Sequence, residues 1–151
     1  MIQRISDRHT TMEGAVQRAA NRLRGAGVTE ETAAGIVLAI VEALGNVARH
    51  ACNPAEPVQF ELLMEIQPTR ITIDVVDYGP GFELTRRKMP DPFCEAGRGI
   101  ALMQRICDSI DYCRGASGNH LILQKRLAGG SHFDGIRHGS GGPPTPKRFH
   151  G

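Results

Sequence analysis

The longest regular pattern in the chain is an apolar run that polar side chains interrupt on one side. Between residues 33 and 51 nearly every position is apolar or small, which is typical of a helix buried on most of its surface. The exceptions are Glu42, Asn46, Arg49 and His50, and their spacing places them on one side of that helix. Burying them without partners would cost roughly 2–7 kcal/mol for an amide, and more for a charge. We therefore expect a polar ligand or partner against this polar stripe.

Capping residues predict one helix before this segment and the start of the long helix itself. Thr10 or Thr11 can cap a first helix, because a hydroxyl accepts hydrogen bonds from free N–H groups of the first turn. The Gly25-Ala26-Gly27 segment favours the end of that helix. Thr29, followed by two acidic residues, predicts the start of the long helix, which stops before Asn53-Pro54.

Alternating apolar and polar residues predict two hairpins. The first joins strands at 58–66 and 71–76 through a turn at Pro68-Thr69, and the second joins 110–113 to 120–126. Residues 1–7 can add a short edge strand, and residues 100–107 predict a short helix after an irregular segment. This order predicts an α+β fold, a two-layer α/β sandwich with a mixed, mostly antiparallel sheet and helices on one face.

Composition divides the chain into a domain and a tail. Beyond residue 127 glycine, proline and serine dominate, so we expect residues 1–127 to form one domain and residues 128–151 a disordered tail. The net charge of +2 comes from that tail, which contains three basic residues and one acidic residue, namely Arg137, Lys147, Arg148 and Asp134. Because the domain itself is neutral, a direct nucleic-acid or anionic-membrane surface is not expected.

Cysteine spacing and the absence of targeting signals suggest a cytoplasmic protein. The cysteines at 52, 94, 107 and 113 have no CxxC spacing, so reduced thiols are expected rather than a zinc site. The first residues lack the apolar core of a signal peptide. No apolar run is expected to reach the roughly 20 residues that cross a bilayer.

Two glycine-rich motifs lie where a nucleotide could approach the backbone. Asp77-Tyr78-Gly79-Pro80-Gly81 follows the 71–76 strand, and Gly97-Arg98-Gly99-Ile100 precedes the last helix. Taken singly, each is also a good turn or helix entry, and neither matches the P-loop or the dinucleotide fingerprint. Together they place a carboxylate suited to the adenine amino group near backbone N–H groups and an arginine suited to phosphate.

The polar stripe supplies the remaining chemistry. The Asn46 amide oxygen can ligate Mg²⁺, and Glu42 can accept a proton from an incoming hydroxyl or water. A magnesium-bound nucleotide against the long helix would thus give every member of the stripe a partner.

These residues resemble the motifs of a known family. The set is Glu42-xxx-Asn46-xxx-His50-Ala51, Asp77-x-Gly79-x-Gly81-Phe82, Pro90-Asp91-Pro92 and Gly97-Arg98-Gly99-Ile100-xx-Met103. It is similar to the GHKL (Bergerat-fold) ATPases, and most similar within them to the anti-sigma-factor serine/threonine kinases of bacterial partner-switching systems. The resemblance covers roughly residues 10–127.

The resemblance implies a role for each matching residue. It makes Glu42 the general base, Asn46 the Mg²⁺ ligand and Asp77 the residue that binds adenine. Residues 82–95 correspond to a mobile ATP lid. The implied nucleotide-binding set comprises Asn46, Arg49, His50, Asp77, Gly79, Gly81, Phe82, Gly97, Arg98, Gly99, Ile100 and Asn119. Asn119 follows Gly118 where the family's last strand often has a threonine near the phosphates, and it could substitute as a donor.

The implied activity is transfer of the γ-phosphoryl group of ATP to a serine or threonine of a STAS-type anti-anti-sigma protein. A sigma factor is the family's other partner, and homodimers are usual. Two alternatives stay open. A histidine-kinase catalytic domain would need a helical hairpin with a phosphoacceptor histidine, and too few residues surround His9 for one. A nucleotide-gated binding module could instead sequester a sigma factor or another regulator with little or no kinase activity.

Overall fold

Threonine hydroxyls set the starts of the first two helices. The computed structural model describes the backbone of residues 2–4 and all of residues 11–50, 56–81 and 98–128. Helix α1 spans Met12–Gly25, and Thr11 caps it by accepting the Gly14 N–H at 3.0 Å. Helix α2 spans Glu30–Arg49, and Thr29 accepts the N–H of Thr32 at 3.3 Å. Thr11, rather than Thr10, is therefore the cap of the first helix.

The end of α2 and the start of α3 determine where the polar stripe lies. Helix α2 ends at Arg49, before Asn53-Pro54 as predicted, with His50 as its C-cap. Helix α3 spans Arg98–Ile106, so it begins two residues before the predicted start and includes Arg98 and Gly99 in its first turn. The polar stripe therefore lies on the last two turns of α2 and its cap.

Five strands form one sheet. They are β1 (Ile2–Arg4), β2 (Phe60–Gln67), β3 (Arg70–Asp77), β4 (Ser109–Gly115) and β5 (Gly118–Arg126). Their order is β1-β2-β3-β5-β4, and each neighbouring pair is antiparallel. The predicted α+β sandwich is confirmed. The sheet is antiparallel at every described pairing rather than mixed.

The core lies between one face of the sheet and the helices, as the alternation predicts. Alternate strand positions are buried, while their neighbours lie on the other face. Helix α2 is the central helix, since it packs on α1, α3 and β3. The largest fully buried side chains are Leu23, Ile36, Ile40, Leu44, Leu62, Met64, Ile71, Ile73, Met103, Leu123 and Val75.

Helix α2 is more apolar than the sequence analysis allowed. An 18-residue window of this 20-residue helix has a mean hydropathy of 1.5, which by length and composition alone would suffice to cross a membrane. The expectation that no segment is so apolar is therefore wrong. In the described structure α2 is a core helix, because one side of it is buried against the sheet and the neighbouring helices, while Leu38 and Val41 on its other side are exposed.

The strand order determines which side chains meet at the end of β3. Because β5 lies between β3 and β4, Asn119 pairs across the sheet with Asp77 on one side and with Arg114 on the other. All three lie at the edge of the sheet where β3 ends and the Gly79–Gly81 turn begins. This edge forms one part of the candidate site.

Candidate active site

The polar stripe borders a pocket between α2 and α3. Glu42 is half-buried, whereas Arg49 is exposed at the end of the helix. A pocket of about 300 Å³ is lined by Glu42, Arg49, Arg98, Gly99 and Leu102. The pocket thus joins Glu42 and Arg49 of the polar stripe to Arg98 and Gly99 of the second glycine-rich motif, as the sequence predicts.

Gly99 allows the Glu42 carboxylate to reach the start of α3. A Cβ atom placed on Gly99 would lie 2.5 Å from Glu42 Oε2, which is closer than a real contact permits. The first N–H groups of a helix have no partner within it and carry partial positive charge, so this end of α3 attracts anions. No hydrogen bond or ion pair to the Glu42 carboxylate occurs among the described residues, which leaves it available to accept a proton.

Two members of the stripe are partners of each other. The Arg49 guanidinium donates a hydrogen bond to Oδ1 of Asn46, one turn earlier on α2. Asn46 is only 5% exposed, and its Nδ2 is buried without a partner. The stripe is therefore partly satisfied from within, by a pairing that its spacing alone did not predict. Leaving the Nδ2 group unpaired costs about 1–3 kcal/mol.

Asn46 fits the role of a cation ligand. Its Oδ1 already faces the positive charge of Arg49, and a hard cation such as Mg²⁺ binds the same kind of oxygen. Across residues 11–50, 56–81 and 98–128, no three His, Cys, Asp or Glu side chains converge on a metal position. A Mg²⁺ ion held by Asn46 would take its other ligands from phosphate and water, which is usual for this metal.

Asp77 is held in place through one of its two oxygens. It is 8% exposed, and Oδ1 accepts hydrogen bonds from the Gly79 N–H at 2.9 Å and from Asn119 Nδ2 at 3.1 Å. Asn119 Nδ2 also donates to the Gly79 carbonyl at 2.9 Å. Oδ2 accepts no hydrogen bond from the described residues, so it can accept one from an amino group such as that of adenine.

Asn119 does not lie where the sequence analysis expected it. The resemblance suggested a donor near the phosphates, whereas the structure places Asn119 beside Asp77, because β5 pairs directly with β3. It therefore orients the carboxylate rather than lining the pocket around Glu42. His120 lies on the opposite face of the sheet, where its Nδ1 is 2.9 Å from Asp74 Oδ2.

Gly79 connects the two halves of the site. A Cβ atom on this residue would lie 3.0 Å from the backbone carbonyl oxygen of His50 and 3.3 Å from Asp77 Oδ1. The end of α2 can therefore pack closely against the turn after β3 only because a glycine is present. His50 contributes its backbone carbonyl oxygen to this junction.

Arg114 is a residue of the site that the sequence analysis missed. Its guanidinium donates to the Pro80 carbonyl and lies against Gly81, whose φ of +80° favours glycine. The Tyr112 hydroxyl also approaches Gly81. The predicted β4–β5 hairpin pairs Arg114 with Asn119, but only the order of the strands in the sheet brings that pair to the Gly81 turn.

Several predicted site residues lie outside the part of the chain that the structure describes. Phe82, Gly97, the 82–95 lid segment and Pro90-Asp91-Pro92 lie outside the described residues. Ile100 lies in the first turn of α3, and its side chain is buried in the core, so it can contribute only its backbone to the site.

Cys107 supplies no nucleophile to this region. Burial raises the pKa of its thiol to about 11 despite the nearby positive charge of Lys125, so the thiol is protonated at neutral pH. Cys107 and Cys113 are both free thiols, and Cys52 and Cys94 lie outside the described residues.

The fold and the site together define a nucleotide-binding α/β sandwich. One end of the site offers the buried Asp77 carboxylate to a nucleobase. The other end offers two arginines, a helix N-terminus and the Glu42 carboxylate for phosphate chemistry. The chain belongs to the histidine kinase-like ATPase domain family, which matches residues 5–125. Membership of this ATPase family implies that the chain binds ATP.

Two known proteins illustrate the relationship. The serine/threonine-protein kinase BtrW of Bordetella bronchiseptica is 26% identical over 99 residues, which is 62% of this chain and 70% of that protein. The histidine kinase domain of the blue-light activated histidine kinase from Erythrobacter litoralis EL346 superposes with a TM-score of 0.50 at 17% identity. That alignment covers 82% of this chain but 64% of the other, so it shows a shared fold.

Proposed function

We propose that this chain is an ATP-dependent serine/threonine protein kinase and anti-sigma factor that phosphorylates a STAS-type anti-anti-sigma protein. The observation that carries the proposal is the Glu42 carboxylate, which lies against Gly99 beside Arg49 and Arg98 and has no partner within residues 11–50, 56–81 and 98–128. A base next to a phosphate-binding helix end is the arrangement that transfer to a hydroxyl requires. Similarity to a serine/threonine-protein kinase supports the same reaction class.

The proposed reaction uses these groups in one step. The acceptor hydroxyl lies against Glu42 and loses its proton to the carboxylate as its oxygen bonds to the γ-phosphorus of ATP. The bond between the γ-phosphorus and its bridging oxygen breaks, and ADP leaves. Arg98, the N–H groups of α3 and Arg49 stabilise the negative charge on the transferring group. Mg²⁺, when bound, neutralises phosphate oxygens.

Asp77 sets which nucleotide enters. Its Oδ2 accepts a hydrogen bond from the adenine amino group, while Gly79 and Asn119 hold its Oδ1. The Gly79–Gly81 turn, fixed by Arg114, lies beside the base. In this proposal the unphosphorylated STAS protein is the substrate, and the chain binds a sigma factor when that antagonist is phosphorylated. A cytoplasmic homodimer is part of the same proposal.

Transfer of labelled phosphate separates this function from its rival. Incubation with γ-labelled ATP, Mg²⁺ and purified STAS proteins is expected to label one of them on serine or threonine. A chain that binds ATP and a sigma factor but labels no STAS protein would be a nucleotide-gated binding module instead.

Replacing Gly99 by alanine is expected to lower the rate of transfer with little loss of stability. The added Cβ displaces the Glu42 carboxylate, because it would otherwise lie 2.5 Å from Oε2. Gly25→Ala is the matched control, since a Cβ there meets nothing within 4 Å. Phosphate transfer and thermal unfolding of both variants test this. Equal transfer rates in the two variants would show that the contact between Gly99 and Glu42 has no catalytic role.

A further inference from the structure

Two exposed apolar side chains stand on α2 next to the proposed base. Leu38 is 42% exposed and lies one turn before Glu42, on the same side of the helix, and Val41 is 44% exposed. A single exposed apolar residue is ordinary on a protein surface. A pair beside a catalytic pocket, continuous with further apolar residues, is typical of an interaction surface.

Leu38 stands on the side of α2 that lies toward α3, since it falls between Gly35 and Glu42 on one face of the helix. The two helices run antiparallel, because Gly35 lies against Ile106 at one level and Glu42 against Gly99 at another. Between those levels Leu38 stands on α2, and Leu102 stands on α3, where it also lines the Glu42 pocket. We name the surface formed by Gly35, Leu38, Leu102 and Ile106 the α2–α3 groove. One of its ends opens into the Glu42 pocket.

The α2–α3 groove has a positive rim. Arg105 is exposed on α3 and lies two turns after Arg98, or about 10 Å along the helix. No ion pair to Arg105 occurs within the described ranges, and the nucleotide site does not use it. Arg98 and Arg49 stand at the pocket end, while the exposed carboxylates of Glu31 and Asp108 lie beyond the far end. The charge beside the groove therefore complements an acidic partner.

We propose that the α2–α3 groove is the docking surface for the protein that carries the accepting hydroxyl. This inference rests on the proposed kinase function. The partner contributes an apolar ridge that lies along the groove and a carboxylate that pairs with Arg105. A stable protein interface covers about 800 Å² on each partner. A hydroxyl delivered to Glu42 therefore requires contact well beyond the pocket, and the groove is the apolar surface continuous with it.

The test uses the STAS protein that accepts phosphate from the unmodified chain. Leu38→Asp and Arg105→Glu are expected to raise the KM for that protein about tenfold or more, as loss of a central interface contact does. The KM for ATP and the rate at saturating partner should stay unchanged, because neither residue lies in the nucleotide site. Arg126→Glu, an equal charge reversal at the exposed end of β5, is the control and should leave the KM for the partner unchanged.

A charge swap makes the test specific. Replacing the partner's matching carboxylate by lysine is expected to restore a low KM with Arg105→Glu, which a merely structural effect would not do. An unchanged KM in both Leu38→Asp and Arg105→Glu would overturn the docking surface while leaving the kinase function intact. Conversion of a dimer to a monomer by Leu38→Asp, without any effect on that KM, would show that a second copy covers the groove. Failure of every STAS protein to accept phosphate would overturn the kinase function and this surface together.

Discussion

Glu42→Gln is expected to remove most phosphate transfer while leaving ATP binding intact. Glutamine has nearly the same shape as glutamate but cannot accept the proton of the attacking hydroxyl. General-base catalysis contributes about 10²–10⁴-fold to a rate, so transfer should fall by that factor. Single-turnover transfer from γ-labelled ATP measures the rate, and titration with a fluorescent ATP analogue measures binding.

Glu13→Gln on helix α1 is the matched control for Glu42→Gln. Glu13→Gln removes an exposed carboxylate from the first turn of α1 and should transfer phosphate at the unmodified rate. Transfer at full rate in Glu42→Gln would mean that another group, or no group, accepts the proton. Loss of ATP binding in that variant would assign Glu42 to nucleotide binding rather than to proton transfer.

Asp77→Asn is expected to weaken ATP binding without unfolding the site. The new side chain can keep its oxygen toward the Gly79 N–H and the Asn119 amide, so its NH₂ group replaces Oδ2. Two donors, this NH₂ and the adenine amino group, then face each other. The loss should be about 1–3 kcal/mol, the cost of an unmade buried hydrogen bond. Isothermal titration with ATP measures it, and an unchanged thermal unfolding midpoint confirms that the fold is retained.

The same substitution should change base selectivity. Hypoxanthine carries a carbonyl where adenine carries its amino group, so the Asp77→Asn amide can donate to ITP. The preference for ATP over ITP is therefore expected to narrow or reverse in Asp77→Asn. Equal losses for ATP and ITP, or no loss for either, would place the base elsewhere. Asn119→Ala provides a contrast, because it loosens Asp77 but leaves the acceptor oxygen, and should preserve the preference for ATP.

Local signals in the sequence were sufficient for most of the fold. The Thr11 and Thr29 caps, the Pro68-Thr69 turn and the alternation of the strands depend on neighbours within a few residues, and the structure has them. The sequence predicted only that α2 ends before Asn53-Pro54, and the helix ends at Arg49, because the apolar pattern does not show where hydrogen bonding stops. Helix ends depend on capping contacts as much as on pattern.

The parts of the site that depend on long-range pairing could not be predicted. Asn119 meets Asp77, and Arg114 meets the Gly81 turn, only because β5 lies between β3 and β4, and nothing near these residues in the chain indicates that order. The Arg49–Asn46 hydrogen bond has a local spacing that was visible. The same spacing also suits a shared ligand, so the pattern alone does not distinguish a pairing within the stripe from a pairing with a bound group.

A crystal structure of the chain with a non-hydrolysable ATP analogue and Mg²⁺ tests the central claim most directly. The account predicts the adenine amino group at Asp77 Oδ2, the phosphates between the end of α2 and the start of α3, and Mg²⁺ on Asn46 Oδ1 with Arg49 released from it. A nucleotide bound elsewhere, with Arg49 still on Asn46 and the Glu42 pocket filled only by solvent, would contradict it.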